Sequence, residues 1–238
     1  MNRISIPSKM KNSYRFYKIN KMEKRRFIKA AIFTVTGFIL GNISGRLMKS
    51  DKKNKSRKIV ALNGSPNEHG NTAYALSIIG DIFQNENINF EIIHIGKNDI
   101  RGCIACMKCH NEQTVCIHAA AEEKAWIETM KTADALILAS PTYFGGITGT
   151  MKSFLDKAFY SSSKSFSHKV GAAIVTTRRT GASMTFEGLN QYFTINQMPV
   201  ASSTYWNNIR GLTVDDLKQD GEGIRTLQNL AKNIIQMI

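Results

Sequence analysis

From residue 58 onward two apolar patterns alternate along the chain. Short β-rich runs read as strands: "KIVALN" (58–63), "FEIIHI" (90–95), "ALILAS" (135–140), "VGAAIVTT" (170–177) and "MPVASS" (198–203). The middle runs are continuously apolar, as expected of strands covered on both faces. Between them, apolar residues recur at helical spacing over 71–85, 120–132, 148–160 and 183–194, with a last such stretch at 222–238. Strand–helix alternation predicts a parallel sheet with right-handed crossovers, a doubly wound α/β domain. Five strands fit the order 2-1-3-4-5, which places a ligand at the carboxyl ends of strands near the switch in order. No internal repeat, low-complexity tract or second core interrupts the pattern.

Residues 1–57 follow neither pattern and set the charge of the whole chain. The 238 residues carry a formal net charge of +14, which by itself suggests a nucleic-acid binder. Residues 1–58 hold 17 Lys and Arg against two acidic residues, whereas 59–238 hold 15 against 16. The globular part is therefore close to neutral, and nucleic acid is not expected as a partner. The basic segment reads instead as a leader, 1–57, ahead of one domain, 58–238.

Within the leader, 23–45 reads "EKRRFIKAAIFTVTGFILGNISG". A basic cluster precedes sixteen uncharged residues, Ala30 to Gly45, fewer than the ~20 that a membrane-spanning helix needs. Charged n-region and short apolar h-region is the layout of a signal peptide. The segment resembles a twin-arginine export signal, with Lys24-Arg25-Arg26-Phe27-Ile28-Lys29 matching except for Lys at the first arginine and Ile for Leu. The other reading is a cytoplasm-facing amphipathic or short anchor helix, which keeps the protein cytoplasmic and in contact with the membrane. The basic flank from Arg46 to Lys58 gives no clean orientation. Met22 stands just ahead of the signal-like segment, so 1–21 read as an upstream extension.

Candidate chemistry lies in the loops after the strands. "NGSPNEHGNT" (63–72) runs from the first strand into a helix. Backbone N–H groups at a helix N-terminus with hydroxyls beside them suit a phosphate monoester, although the same residues serve simple turns and N-caps. The loop is neither Gly-x-Gly-x-x-Gly nor a Walker A, because it lacks the Lys-Ser/Thr pair. After the third strand comes "SPTYFGGITGTMKSFLDKAF" (140–159). Its Pro141 fixes a turn, Tyr143 and Phe144 offer planar faces, and Gly145 and Gly146 let backbone approach a flat ring.

All four cysteines fall within "GCIACMKCHNEQTVC" (102–116), as Cys103, Cys106, Cys109 and Cys116. Two-residue spacers between the first three allow a loop to wrap one face of an iron–sulfur cubane, which a fourth thiolate closes. The spacing leaves two other readings open. One is a zinc site using four thiolates, or three with His110 or His118, although zinc usually takes two separated Cys-x2-Cys knuckles. The other is free thiols.

Together, "GSPNEHGNT", "SPTYFGGITGTMKSFLDKAF" and the cysteine run resemble the NAD(P)H-dependent FMN reductase branch of the flavodoxin-like superfamily, and within it the iron–sulfur flavoproteins. "FTINQMPVASSTYWNNIRG" (193–211) and "LKQDGEGIRTLQNLAKNI" (217–234) extend the likeness over 58–238. The resemblance implies a flavodoxin-like fold and FMN as cofactor. On it, Ser65, His69, Gly70, Asn71 and Thr72 would wrap the FMN phosphate, while Pro141, Thr142, Tyr143, Phe144, Gly145 and Gly146 would border the isoalloxazine ring. The loop "TTRRTGA" (176–182) would close the other side, with Arg178 or Arg179 near the cofactor. It also implies a [4Fe–4S] cluster on Cys103, Cys106, Cys109 and Cys116 in the loop 102–118. The implied partners are NAD(P)H or a low-potential protein donor, a small-molecule or protein acceptor, and further copies of the chain in a homo-oligomer. The expected function is an FMN-dependent oxidoreductase, with no protein group sought as catalyst because the cofactors carry the chemistry. The competing expectations are a cluster-free FMN, quinone or nitro reductase and a flavodoxin-like carrier without turnover.

Overall fold

The computed structural model describes residues 56–238. The leader, its signal-like segment 23–45 and its basic flank up to residue 55 lie outside the described residues. The elements run β1 (Lys58–Asn63), α1 (Asn71–Asn85), β2 (Asn89–His94), α2 (Lys108–Asn111), α3 (Ala121–Thr132), β3 (Ala135–Pro141), α4 (Gly149–Phe166), β4 (Val170–Thr177), α5 (Ala182–Ile195), β5 (Asn208–Arg210), α6 (Val214–Gln219) and α7 (Gly221–Met237). The five strands form one parallel sheet in the order β2-β1-β3-β4-β5. The expected flavodoxin-like architecture is the one observed.

Alternate residues of the central strands feed two cores. Val60, Leu62, Leu136, Leu138, Ala173 and Val175 pack with α3, α4 and α5, while Ile59, Ala61, Ala135, Ile137, Ala172 and Ile174 pack with α1, α6 and α7. A strand buried on both faces must be apolar at every position, which is why these runs do not alternate. The helices obey their own period: Leu227, Leu230, Ala231 and Ile234 of α7 fall at i, i+3, i+4 and i+7, and all are fully buried. Burying each such Leu or Ile contributes about 1.5–3 kcal/mol.

The fifth strand departs from the expectation. The run 198–203 makes a single parallel bridge, Gly171 to Val200. There the Gly171 N–H donates to Pro199 O, and the Ala201 N–H donates to Gly171 O, both at 2.8 Å. The chain then leaves the sheet over 202–206 and returns as β5, paired with Val175–Thr177. One edge strand is thus split around an outward loop carrying the exposed Tyr205 and Trp206. The helix expected over 148–160 continues to Phe166 through a non-helical Ser162, and the short α2 and α6 were not expected.

Candidate functional site

Because all strands are parallel, β1, β3, β4 and β5 end on one edge of the sheet, and the loops that follow them meet there. The loop after β1 is held by side chains within it. Ser65 N–H donates to Asn63 Oδ1 (3.0 Å), Asn67 N–H to Ser65 Oγ (3.1 Å) and His69 N–H to Asn67 Oδ1 (3.2 Å). From outside, His94 Nε2–H donates to Ser65 O (2.7 Å) and Thr148 Oγ1–H to Gly64 O (2.8 Å). Gly64 is required by close approach: a Cβ there would lie 2.3 Å from Met151 Sδ.

Gly70 is the N-cap of α1 and supplies no side-chain cap, so the first-turn amides of a 15-residue helix face the loop without a side-chain acceptor. Asn71 Nδ2–H donates to Gly211 O (3.1 Å) and Leu212 O (3.3 Å), tying this turn to the end of β5. Thr72 and Thr176 are both buried, with Oγ1 atoms 3.0 Å apart. Two hydroxyls carry two protons, and their mutual bond uses one. The other can be donated to a ligand.

The loop after β3 forms a tight turn in which Tyr143 N–H donates to Gly146 O and Gly146 N–H to Tyr143 O, each at 2.9 Å. Phe144 (φ 50°) and Gly145 (φ 75°) are both left-handed, and Phe144 is fully exposed. A bulky side chain held there costs about 1–3 kcal/mol, the kind of strain found at ligand clamps. The loop after β4 meets this turn at Gly181 (φ 85°), where a Cβ would lie 3.0 Å from Gly145 Cα.

These loops enclose a cavity of about 280 Å³. Of the expected cofactor residues, Ser65, Gly70, Asn71, Thr72, Pro141, Thr142, Tyr143 and Arg178 line it, whereas His69, Phe144, Gly145 and Gly146 do not. Pro66, Asn67, Thr176, Thr177, Gly211 and Leu212 complete the wall. Thr176 and Thr177 had a signal in the loop 176–182. Gly211 and Leu212 had only the topological one, that every strand of a parallel sheet delivers its following loop to the same edge. The uncapped helix start and the hydroxyl pair fit a phosphate ester, and the Tyr143–Gly146 turn fits a flat ring.

The cysteine loop runs beside α4. Tyr160 O–H donates to Met107 Sδ (3.1 Å), and the His110 and Tyr160 rings lie 6.5 Å apart. Ala105, Met107 and Gln113 are left-handed, three non-glycine residues in nine positions. Cys103 and Cys106 are exposed; Cys109, on α2, and Cys116 are buried. Burial pushes the Cys109 thiol above its ordinary range, the charge of Cys116 adds to this, and Cys103 and Cys106 contribute less. The other three sulfurs thus lie within electrostatic reach of Cys109. Among the described residues no group of three or more His, Cys, Asp or Glu is gathered as for one metal ion. Four cysteine thiols on one loop are the donor set that a [4Fe–4S] cluster takes.

Next to this loop lies a cavity of about 720 Å³, walled by Cys103, Met107, Tyr160, Tyr192 and Asn196 among others. Tyr192 O–H donates to Asp156 Oδ1 (2.5 Å). Burial, then that carboxylate, holds the phenol far above its usual range, so it stays protonated.

The family model described as NADPH-dependent FMN reductase matches residues 57–210. The chain belongs to that family. It is a flavin-dependent oxidoreductase, and iron–sulfur flavoproteins are among the proteins it is similar to. An iron–sulfur flavoprotein of Methanocaldococcus jannaschii is 28% identical over 189 residues, which cover 76% of this chain and 97% of that one. One from Archaeoglobus fulgidus is 28% identical over 205 residues, covering 76% and 94%. Among solved structures, RosB with a bound 8-demethyl-8-formylriboflavin-5′-phosphate intermediate superposes with TM-score 0.60 at 16% identity, covering 76% of this chain and 80% of its own. A WrbA-like flavodoxin from Agrobacterium tumefaciens gives TM-score 0.52 at 17% identity, covering 77% and 99%. At such identities the structural likeness speaks for the fold alone.

Proposed function

We propose that the chain holds FMN in the strand-edge cavity, holds a [4Fe–4S] cluster on the cysteine loop, and takes reducing equivalents from an NAD(P)H-type donor. The observation that carries this reading is the uncapped start of α1 beside the buried Thr72–Thr176 pair, in a cavity shared with the Tyr143 turn. When bound, FMN supplies hydride acceptance and the cluster supplies one-electron relay. The protein's part is to bind and orient. Ser65, Asn71, Thr72 and the first-turn amides of α1 receive the phosphate, with the positive end of the helix dipole behind them. Pro141, Thr142 and Tyr143 border the ring on one side, and the loop 176–182 with Arg178 borders it on the other. His69, Phe144, Gly145 and Gly146, outside the present wall, belong to the same two loops. Cys103, Cys106, Cys109 and Cys116 supply the thiolates, and the exposed pair Cys103 and Cys106 is the edge that an acceptor meets.

The fully exposed Phe144 and the largely exposed Met184, whose Sδ lies 3.5 Å from a Cβ built on Gly145, offer a second copy of the chain an apolar contact. For the leader, export is the reading that Arg25-Arg26-Phe27 supports. Outside the cytoplasm NAD(P)H is scarce, and a low-potential protein donor would replace it.

The exposure of Cys103 and Cys106 also favours a second reading, an FMN reductase with free thiols. One variant separates the two. Cys106→Ala, purified without oxygen, should lose its iron and sulfide and keep most of its flavin. Wild-type protein that carries flavin and no sulfide would leave the second reading standing.

A further inference from the structure

The cavity of about 720 Å³ beside the cysteine loop shares no wall residue with the flavin cavity, and the flavin reading does not use it. Cys103, one of the two exposed thiols of that loop, stands in its wall. We propose that this cavity binds a planar, uncharged aromatic electron acceptor of the quinone class; the inference rests on the reading that Cys103, Cys106, Cys109 and Cys116 hold a cluster.

The apolar part of the wall calls for a flat ring. Phe159 is 3% exposed, and its ring centroid lies 5.3 Å from that of Tyr192, so two packed rings form a fixed floor. Tyr160, Met107 and Ile195 line the cavity with exposures of 48%, 41% and 81%, and the Tyr160 O–H bond to Met107 Sδ holds the first two together. Rings and a thioether attract an aromatic ligand by stacking and by sulfur–ring contact. The volume falls within the ~300–1,000 Å³ of small-molecule pockets.

The charges in the wall call for a neutral ligand. Among the described residues no Lys or Arg lines the cavity, and its one carboxylate is Asp156. That carboxylate is occupied: Oδ1 accepts from Tyr192 O–H (2.5 Å) and Lys152 Nζ (2.7 Å), and Oδ2 accepts from Lys152 Nζ (2.9 Å). A nucleotide would find no cation there, and a cationic ligand would find no free carboxylate.

The remaining polar groups fit a ligand whose oxygens alternate between two hydrogen-bonding states. Asn196 is 7% exposed; one Nδ2 hydrogen donates to Tyr192 O (2.7 Å), leaving the other hydrogen and Oδ1 without a partner among the described residues. Ser163 Oγ and the ring nitrogens of His110, also in the wall, make no hydrogen bond among the described residues. Amide, hydroxyl and imidazole can each donate or accept. Quinone oxygens only accept, whereas hydroquinone oxygens also donate, so groups able to do both hold the ligand before and after reduction. The left-handed Ala105 and Met107 line the same wall, and strain of this kind is found at ligand clamps. The reaction balances without another reagent. A hydride from the NAD(P)H-type donor supplies two electrons and one proton, solvent supplies the second proton, and quinone leaves as hydroquinone while the nicotinamide is oxidised.

The test uses the full chain purified without oxygen, with flavin, iron and sulfide assayed first. The probe is a naphthoquinone methylated at both free positions of its quinone ring, to which no thiol can add. The control is the same dimethylnaphthalene without the oxygens. Calorimetric titration of oxidised protein, with no electron donor present, should show one site for the quinone and weaker binding of the hydrocarbon. Tyr160→Ala should weaken the quinone about tenfold through lost stacking and burial. Ser163→Ala should weaken it roughly three- to tenfold, as losing a neutral hydrogen bond does, and leave the hydrocarbon unaffected. Ile195→Glu, at a position exposed enough to keep the fold, should weaken both probes. Iron, sulfide and flavin contents should stay at wild-type values in all three variants. No binding of the quinone overturns the site. The same quinone affinity in all three variants also overturns it, because the quinone then binds elsewhere. Affinity that falls as the chain is concentrated means that a second copy covers the cavity, and it overturns the site too. Protein without iron or sulfide overturns the cluster reading, and the titration of the variants still decides the cavity.

Discussion

Replacing Thr72 with Val keeps the shape of the side chain and removes one hydroxyl from the floor of the flavin cavity. Thr72 is 1% exposed and Thr176 2%, and their Oγ1 atoms are 3.0 Å apart. Without ligand, the variant loses one buried neutral hydrogen bond and leaves Thr176 unpartnered, a destabilisation of about 1–3 kcal/mol. With FMN bound the loss is of another kind, because the proton left over by the pair is donated to an anionic phosphate. A hydrogen bond to a charged group is worth about 1.5–3 kcal/mol, which converts to roughly a ten- to 150-fold rise in the dissociation constant. Riboflavin has no phosphate and should bind the variant about as well as wild type. Titration of flavin-free protein with each flavin, read by quenching of flavin fluorescence, gives both affinities. Equal losses for FMN and riboflavin would mean that Thr72 supports the cavity and not the phosphate. No loss for either would move the phosphate elsewhere.

Two other predictions concern parts distant from the flavin. Lys157 of α4 and Glu123 of α3 form an ion pair with side-chain exposures of 1% and 8%. Lys157→Met should destabilise the domain by about 3–5 kcal/mol because it strands a buried carboxylate, whereas Lys157→Met with Glu123→Gln should recover most of that. Urea unfolding of the three proteins checks it, and an unaltered midpoint in the single variant would contradict the buried charge. For the leader, changing Arg25 and Arg26 together to Lys should leave a folded protein in the cytoplasm if 23–45 is an export signal, since planar guanidinium forks are lost while charge is kept. Fractionation that finds wild-type membrane association in both proteins would mean an anchor.

The sheet was legible where burial left the sequence no freedom. The runs forming β1, β3 and β4 are apolar at successive positions because both faces are covered, and α1 was bounded correctly by Gly70-Asn71 and the end of its apolar period. The edge strand was not. Val200 and Ile209 each pair with β4, but only the three-dimensional path around 202–206 shows that they share one edge, and a six-residue helix such as α6 has too few turns to show a period. At the site, Ser65, Asn71, Thr72, Pro141 and Tyr143 were visible because turn and cap chemistry is local. Gly211 and Leu212 reach the same cavity from 140 residues away in sequence, held there by Asn71, and no local pattern encodes that bond. The Lys157–Glu123 pair was hidden for a similar reason. Each residue looks like a solvated helix charge until the two helices are packed together.

The account turns on which cofactors the folded chain holds. The most direct measurement is an absorption spectrum of the full chain purified without oxygen, with flavin, iron, sulfide and zinc assayed on the same sample. The account predicts flavin bands over a broad iron–sulfur background, with about one FMN, four irons and four sulfides per chain. Colourless protein, or zinc in place of iron with no labile sulfide, would contradict it.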